Sequence, residues 1–197
     1  MRKRVWIVAM VLAGLVVSGA SGEPQKKLIH FGWDMHSPAA LAEKIGELQH
    51  LPFDGLTVRA MQPGDLPAIQ ALDRHAYGAA RTSILSAVRG VSEGIVAERG
   101  GEIEGFAMMR TFGKGRVIGP LVAEQDGVAM QLAAHFILAN EGAFLRLDTI
   151  VESERFEAFV SAAGLGVYDT VTDMRFGRLR RAQSGPMTYG LAMQSLG

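Results

Sequence analysis

The chain has 197 residues, roughly one to one-and-a-half ordinary domains, and falls short of a complete eightfold βα barrel, which needs about 200 or more. Hydrophobic residues make up 48% and charged residues 20%, which excludes a disordered chain. Lys+Arg and Asp+Glu are equal at 20 each, but three of the cations are Arg2, Lys3 and Arg4, so the rest is mildly acidic, unlike a nucleic-acid binder; the absence of cysteine excludes disulfide scaffolds, Cys-ligated metals and Cys nucleophiles.

In chain order, residues 1–4 are a basic start and residues 5–17 a continuous apolar and glycine run. Ser18, Gly19 and Ala20 are small residues of the kind an exporting peptidase reads. The run is short for a membrane span, which takes about 20 residues. The pattern predicts a signal peptide over 1–20, with an uncleaved hydrophobic helix as the alternative. Export or membrane association through this segment alone follows. Residues 21–27 are polar, contain Pro24 and read as a linker. Residues 28–33 read as a strand. Ser37 and Pro38 open a helix with Leu41, Ile45 and Leu48 on one face. Residues 21–55 thus form a linker and a short strand–helix extension.

Residues 56–61 alternate like a strand. Asp65 is placed to cap a helix whose inner face carries Leu66, Ile69 and Leu72, and a second helix carries Ile84, Leu85 and Val88. Residues 95–98 and 103–111 flank Gly100 and Gly101, which predicts a hairpin. Residues 116–123 (RVIGPLVA) are a further strand. In the cleanest helix, Ala129, Leu132, Ala133, Phe136 and Ile137 follow the i, i+3, i+4, i+7, i+8 pattern and Gly142 ends it. Residues 144–147 form a buried strand ending at Asp148. Ser153 caps a helix with Phe156, Phe159, Val160 and Ala163 inward. Residues 167–174 and 187–193 read as two last strands.

The order from Leu56 is therefore β, α, α, β, β, β, α, β, α, β, β. That order, with a hairpin before the longest helix, resembles the GNAT acyltransferase fold. The resemblance extends to sequence. LTVRAMQPGDLPAIQALDRHAYGAAR (56–81), RVIGPLVA (116–123), LRLD (145–148), the helix ending in Ala163, Gly164 and Leu165, and TDMRFG (172–177) occur in the right order for the acetyltransferase-18-like domain. That domain is the C-terminal half of two-part GNAT proteins. The fold implied is α/β (α+β), a mixed and mainly antiparallel sheet flanked by helices, over 56–197. Residues 26–58 instead resemble the first strand and helix of secreted βα-barrel proteins, as if two gene fragments met near Phe53 to Val58. If the front is a product of fusion, the protein is cytoplasmic.

The resemblance implies a site. A GNAT enzyme holds acyl-CoA and an amine together, so that positioning supplies much of the rate. Pantetheine pairs with the backbone of a splayed strand, here Ile118, Gly119, Leu121, Val122 and Ala123. The pyrophosphate rests on the next helix start, at Gln125, Gly127, Val128 and Ala129. The Arg/Gln-x-x-Gly-x-Gly/Ala loop of the superfamily is replaced by Glu124-Gln125-Asp126-Gly127-Val128-Ala129, with Asp126 also readable as a plain N-cap. The family's general acid, a Tyr, is Val160 here, and Tyr168 is the substitute. Glu98 and Asp148 are candidate bases. The cofactor implied is acetyl-CoA as co-substrate, with no metal. The partner is a small-molecule amine, with pairing to another GNAT half as a further expectation.

Other features carry less. His30, His36, His50, His75 and His135 have no metal spacing, and Gly113-Lys114-Gly115 lacks the spacing of a phosphate loop and reads as a turn. Arg178, Arg180 and Arg181 read as a solvated loop. Asp34 resembles a barrel carboxylate but has no partner. Two further readings stay open: a non-catalytic GNAT-like pairing domain, and a truncated exported carbohydrate-active barrel, against which the length speaks.

Overall fold

Among the described residues, alternating apolar side chains build an eight-stranded sheet, and two pairs of helices cover its faces. The structure, a computed structural model, describes residues 3–9, 55–174, 177, 181–182 and 184–195. Its strands are β1 (Lys3–Ala9), β2 (Leu56–Ala60), β3 (Glu93–Arg99), β4 (Glu102–Phe112), β5 (Gly115–Ala123), β6 (Leu145–Thr149), β7 (Val167–Asp173) and β8 (Met187–Gly190). Its helices are α1 (Leu66–Tyr77), α2 (Thr82–Arg89), α3 (Asp126–Ala139) and α4 (Glu154–Ala162). The sheet runs β2-β3-β4-β5-β6-β1-β7, with β8 on β5 off this path. Every pairing is antiparallel except β5 with β6. This is the mixed, mainly antiparallel architecture expected from the sequence.

Alternation along the central strands divides the core in two. Phe106 and Met108 of β4 and Val122 of β5 face α1 and α2, packing with Ile69, Leu72, Leu85 and Val88. Ala107 and Met109, with Ile118, Leu121 and Ala123, face Ala129, Leu132, Ala133 and Phe136 of α3 and Phe156 and Val160 of α4. The spacing that predicted these helices thus selects their buried stripes. Between α1 and α2, Arg81 donates to both oxygens of Asp73 at 2.8 and 2.7 Å, both residues being buried, and its guanidinium lies 4.3 Å from the Tyr77 ring centre. Removing one partner of such a pair strands a buried charge.

Two local expectations change. Asp65 does stand at the N-cap of α1, but its carboxylate does not cap that helix. It accepts from the Gln62 N–H at 2.6 Å and from Arg59 at 2.8 and 2.9 Å. The Arg59 guanidinium accordingly holds the Asp65 carboxyl below its usual range, against the opposing effect of burial. At the front, residues 3–9 are an extended strand between β6 and β7, antiparallel to both, and not the start of a helix. The rest of the expected signal segment and the linker and strand–helix extension, up to residue 54, lie outside the described residues. Among the described residues no helix is long and apolar enough to cross a membrane.

Candidate functional site

β5 changes partner halfway along. Arg116, Val117 and Ile118 pair in parallel with Leu145, Arg146 and Leu147 of β6. Beyond Ile118 the two strands separate. The β4–β5 register shifts at this point, with Gly119 and Pro120 set against Met108 as an extra residue in the ladder. Pro120 has no N–H to contribute to it. Leu121, Val122 and Ala123 then continue to the start of α3, with their outer edge available to another segment. This is the splayed geometry the sequence resemblance implied.

The segment that takes that edge is the chain's own. Leu121 pairs with Gly190, Val122 with Thr188 and Ala123 with Met187. One residue further, the Leu191 N–H donates to the Asp148 carbonyl at 2.8 Å, so the same segment also bridges to β6. Arg110 of β4 donates to the Gly119 carbonyl at 2.7 Å and to the Ala192 carbonyl at 2.6 Å, closing the inner end. Its half-burial pulls the guanidinium pKa below the usual value, and the nearby Asp148 charge opposes that shift. Two glycines permit the fit. A Cβ on Gly119 would collide with the Leu191 carbonyl, and one on Gly190 would lie 2.9 Å from Leu147 and 3.1 Å from Leu121.

The start of α3 is also occupied. Gln125 is the N-cap, extended at φ −154° and ψ 161°, and makes no side-chain capping bond. Asp126 is the first helical residue, not the cap that the sequence offered as one reading. Its carboxylate accepts from the Ser153 hydroxyl at 2.7 Å and from the Tyr189 hydroxyl at 2.6 Å. Ser153 meanwhile accepts the Phe156 N–H at 3.1 Å, capping α4 as its sequence predicted. Tyr189 is fully buried, with its ring edge-on to Phe156 at 5.0 Å. Burial first, and the Asp126 carboxylate second, push its phenol well above the ordinary range. Val128 and Ala129 both give their N–H to the Gln125 carbonyl, so of the helix-start donors those of Asp126 and Gly127 lie outside the helix's own ladder. A Cβ on Gly127 would meet nothing within 4 Å, so this approach is open. The side chains of Val128 and Ala129 belong to the core, and only their backbone can belong to a site.

The three catalytic candidates are not brought together. Asp148 lies at the cleft, buried, its carboxylate held by Arg146 at 2.8 and 2.9 Å. Glu98 is on β3, two strands from β5, and accepts from Arg59 at 2.9 and 2.6 Å. Tyr168 is on β7, beyond β1, and is 72% exposed. Arg110, Ser153 and Tyr189 converge on the cleft instead. Tyr189 carried no local signal, because a Tyr in an apolar strand reads as packing. A separate hollow lined by Arg59, Asp65, His75 and Glu102 lies on the α1 side and touches neither β5 nor α3. Residues 113–114 are the β4–β5 turn, as expected. Arg178 and Arg180 lie outside the described residues, while Arg181 stands 5.6 Å from the Tyr77 ring centre.

Comparison with known proteins fits this geometry. The sequence model of the acetyltransferase (GNAT) domain matches residues 69–190. No curated protein matches the chain. Among solved structures, a protein assigned as an acetyltransferase from Pyrococcus horikoshii aligns with TM-score 0.56 and 21% identity, over 74% of this chain and 47% of its own. A GCN5-related N-acetyltransferase from Sphaerobacter thermophilus aligns with TM-score 0.50 and 17% identity, over 87% and 50%. A GNAT-family protein from Novosphingobium aromaticivorans gives TM-score 0.50 and 13% identity, over 87% and 64%. At such identities the likeness concerns the fold. The chain spans about half to just under two thirds of the length of these structures.

Proposed function

The chain belongs to the acetyltransferase (GNAT) domain family, and from that premise we propose that it is an N-acyltransferase domain that moves an acetyl group from acetyl-CoA to a small-molecule amine. One observation carries the reading: β5 and β6 part after three paired residues, and the freed half of β5 runs into the start of α3. In this reading the amide-bearing arm of acetyl-CoA lies along Leu121, Val122 and Ala123. Its pyrophosphate meets the helix start at Gln125 and Gly127, where free N–H groups and the helix dipole favour anions. The amine nitrogen attacks the thioester carbonyl, the C–S bond breaks, and the departing thiolate takes up a proton. Asp148 is the candidate base that lies at the cleft; Glu98 and Tyr168 lie away from it.

A second reading, a non-catalytic half that pairs with another GNAT half, is favoured by two specific observations. A carboxylate, Asp126, stands where the anion would rest, and β8 stands where the arm would lie. Calorimetric titration of the whole chain with acetyl-CoA separates the two. The first reading expects saturable heat at one site per chain, and its absence in folded protein selects the second.

A further inference from the structure

We propose that β8 and residues 191–193 are a displaceable plug in the acyl-CoA cleft, so that acetyl-CoA and this segment of the chain compete for one edge of β5. The inference rests on the reading of that cleft given above and adds its regulation. The first observation is position. Met187, Thr188 and Gly190 pair with the half of β5 that β6 has released, and Leu191 ties the segment to β6 through the Asp148 carbonyl. No second extended ligand can use the Leu121–Ala123 edge while β8 holds it, because each backbone group on that edge serves one partner at a time.

The second observation is chemical likeness. Residues 186–193 carry no charge, and they offer an extended run of amides. The pantetheine arm of acetyl-CoA is likewise an uncharged extended chain that carries amides. The plug also reaches the position proposed for the pyrophosphate, since the Tyr189 hydroxyl donates to Asp126 at the first turn of α3. One segment therefore occupies both halves of the proposed ligand site.

The third observation is an imperfection. Thr188 is buried, and its hydroxyl has no hydrogen-bond partner among the described residues. An unpaired buried hydroxyl weakens the segment that carries it. The inner end has a partner that survives exchange. Arg110 holds the Gly119 carbonyl as well as that of Ala192, so loss of the plug leaves the β5 bulge anchored.

The native chain has no cysteine, which permits a reversible lock. Val122 and Thr188 are direct cross-strand partners, so their side chains share a face. The double variant Val122→Cys/Thr188→Cys is titrated with acetyl-CoA by calorimetry, reduced and then oxidised, with the bridge verified by mass. We expect the reduced protein to bind and the oxidised protein to bind at least tenfold more weakly, with recovery on reduction. Equal binding in both states overturns the plug and leaves the acyl-CoA reading intact. No binding by the reduced variant or by the unaltered chain, both folded, overturns the acyl-CoA reading and the plug with it. Thr188→Val serves if the bridge fails to form. It keeps the shape and removes the unpaired hydroxyl, so it should tighten the plug and weaken acetyl-CoA binding roughly fivefold. Unchanged or stronger binding in that variant also overturns the inference.

Discussion

The two halves of β5 differ in what lies beside them. Next to the first half is β6, parallel to it and joined to it through α3, the helical crossover that parallel neighbours need. Next to the second half is β8, which arrives from much later in the chain and runs antiparallel. Each half has a glycine pressed against a backbone carbonyl: Gly115 against that of Phe144, and Gly119 against that of Leu191. The same device thus admits a framework strand at one end and a separable segment at the other. A strand edge can be completed by whatever segment is nearest, and here the nearest segment lies in the place that acyl-CoA would use.

Alanine at these two glycines breaks the comparison most sharply. Gly115→Ala sets a methyl against the chain entering β6, which the framework cannot release. The cost should be about 3 kcal/mol, a fall of roughly 10 °C in Tm by calorimetry. Gly119→Ala sets the same methyl against Leu191. The segment can move away, so the loss should be smaller, about 1–2 kcal/mol, and acetyl-CoA should bind more tightly. Equal losses with no gain in binding would make the two halves equivalent.

Tyr189→Phe tests the outer latch. It keeps the ring against Phe156 and removes one hydrogen bond to a carboxylate, for about 1.5 kcal/mol. The pH dependence has a definite sign. The folded phenol titrates above its unfolded value of about 10, so its contribution is whole below pH 10 and fades as pH rises toward the folded value. Denaturant titrations from pH 8 to 11.5 should therefore show an alkaline loss that is reduced in the variant. A smaller effect is expected at Glu124, which is exposed beside the start of α3. Glu124→Gln removes one like charge from the neighbourhood of a bound pyrophosphate and should improve acetyl-CoA affinity about twofold to fivefold by calorimetry.

The framework was legible because local pattern decides it. The stripe Ala129, Leu132, Ala133 and Phe136 can face only a core, and Ser153 before a run with Phe156 and Val160 can only open a helix. The β5 edge and the start of α3 were singled out through family resemblance. What fills them was not. The strand character of Met187 to Gly190 could be read from its residues, but nothing in a strand's own sequence names the edge on which it docks. Asp126 shows the same limit: a carboxylate at a helix start suits a cap, yet Tyr189, 63 residues away, turns it to another use. Residues 3–9 show it again. A basic-then-apolar run fits an export signal and a strand within a sheet equally, and periodicity cannot separate the two.

Amide hydrogen exchange, read with and without acetyl-CoA, tests the occupied cleft most directly. The account predicts that acetyl-CoA slows exchange at Leu121 to Ala123 and speeds it at Met187 to Leu191, as one partner of β5 replaces the other. Protection at Met187 to Leu191 that stays the same or rises, in protein that gives binding heat, would contradict it.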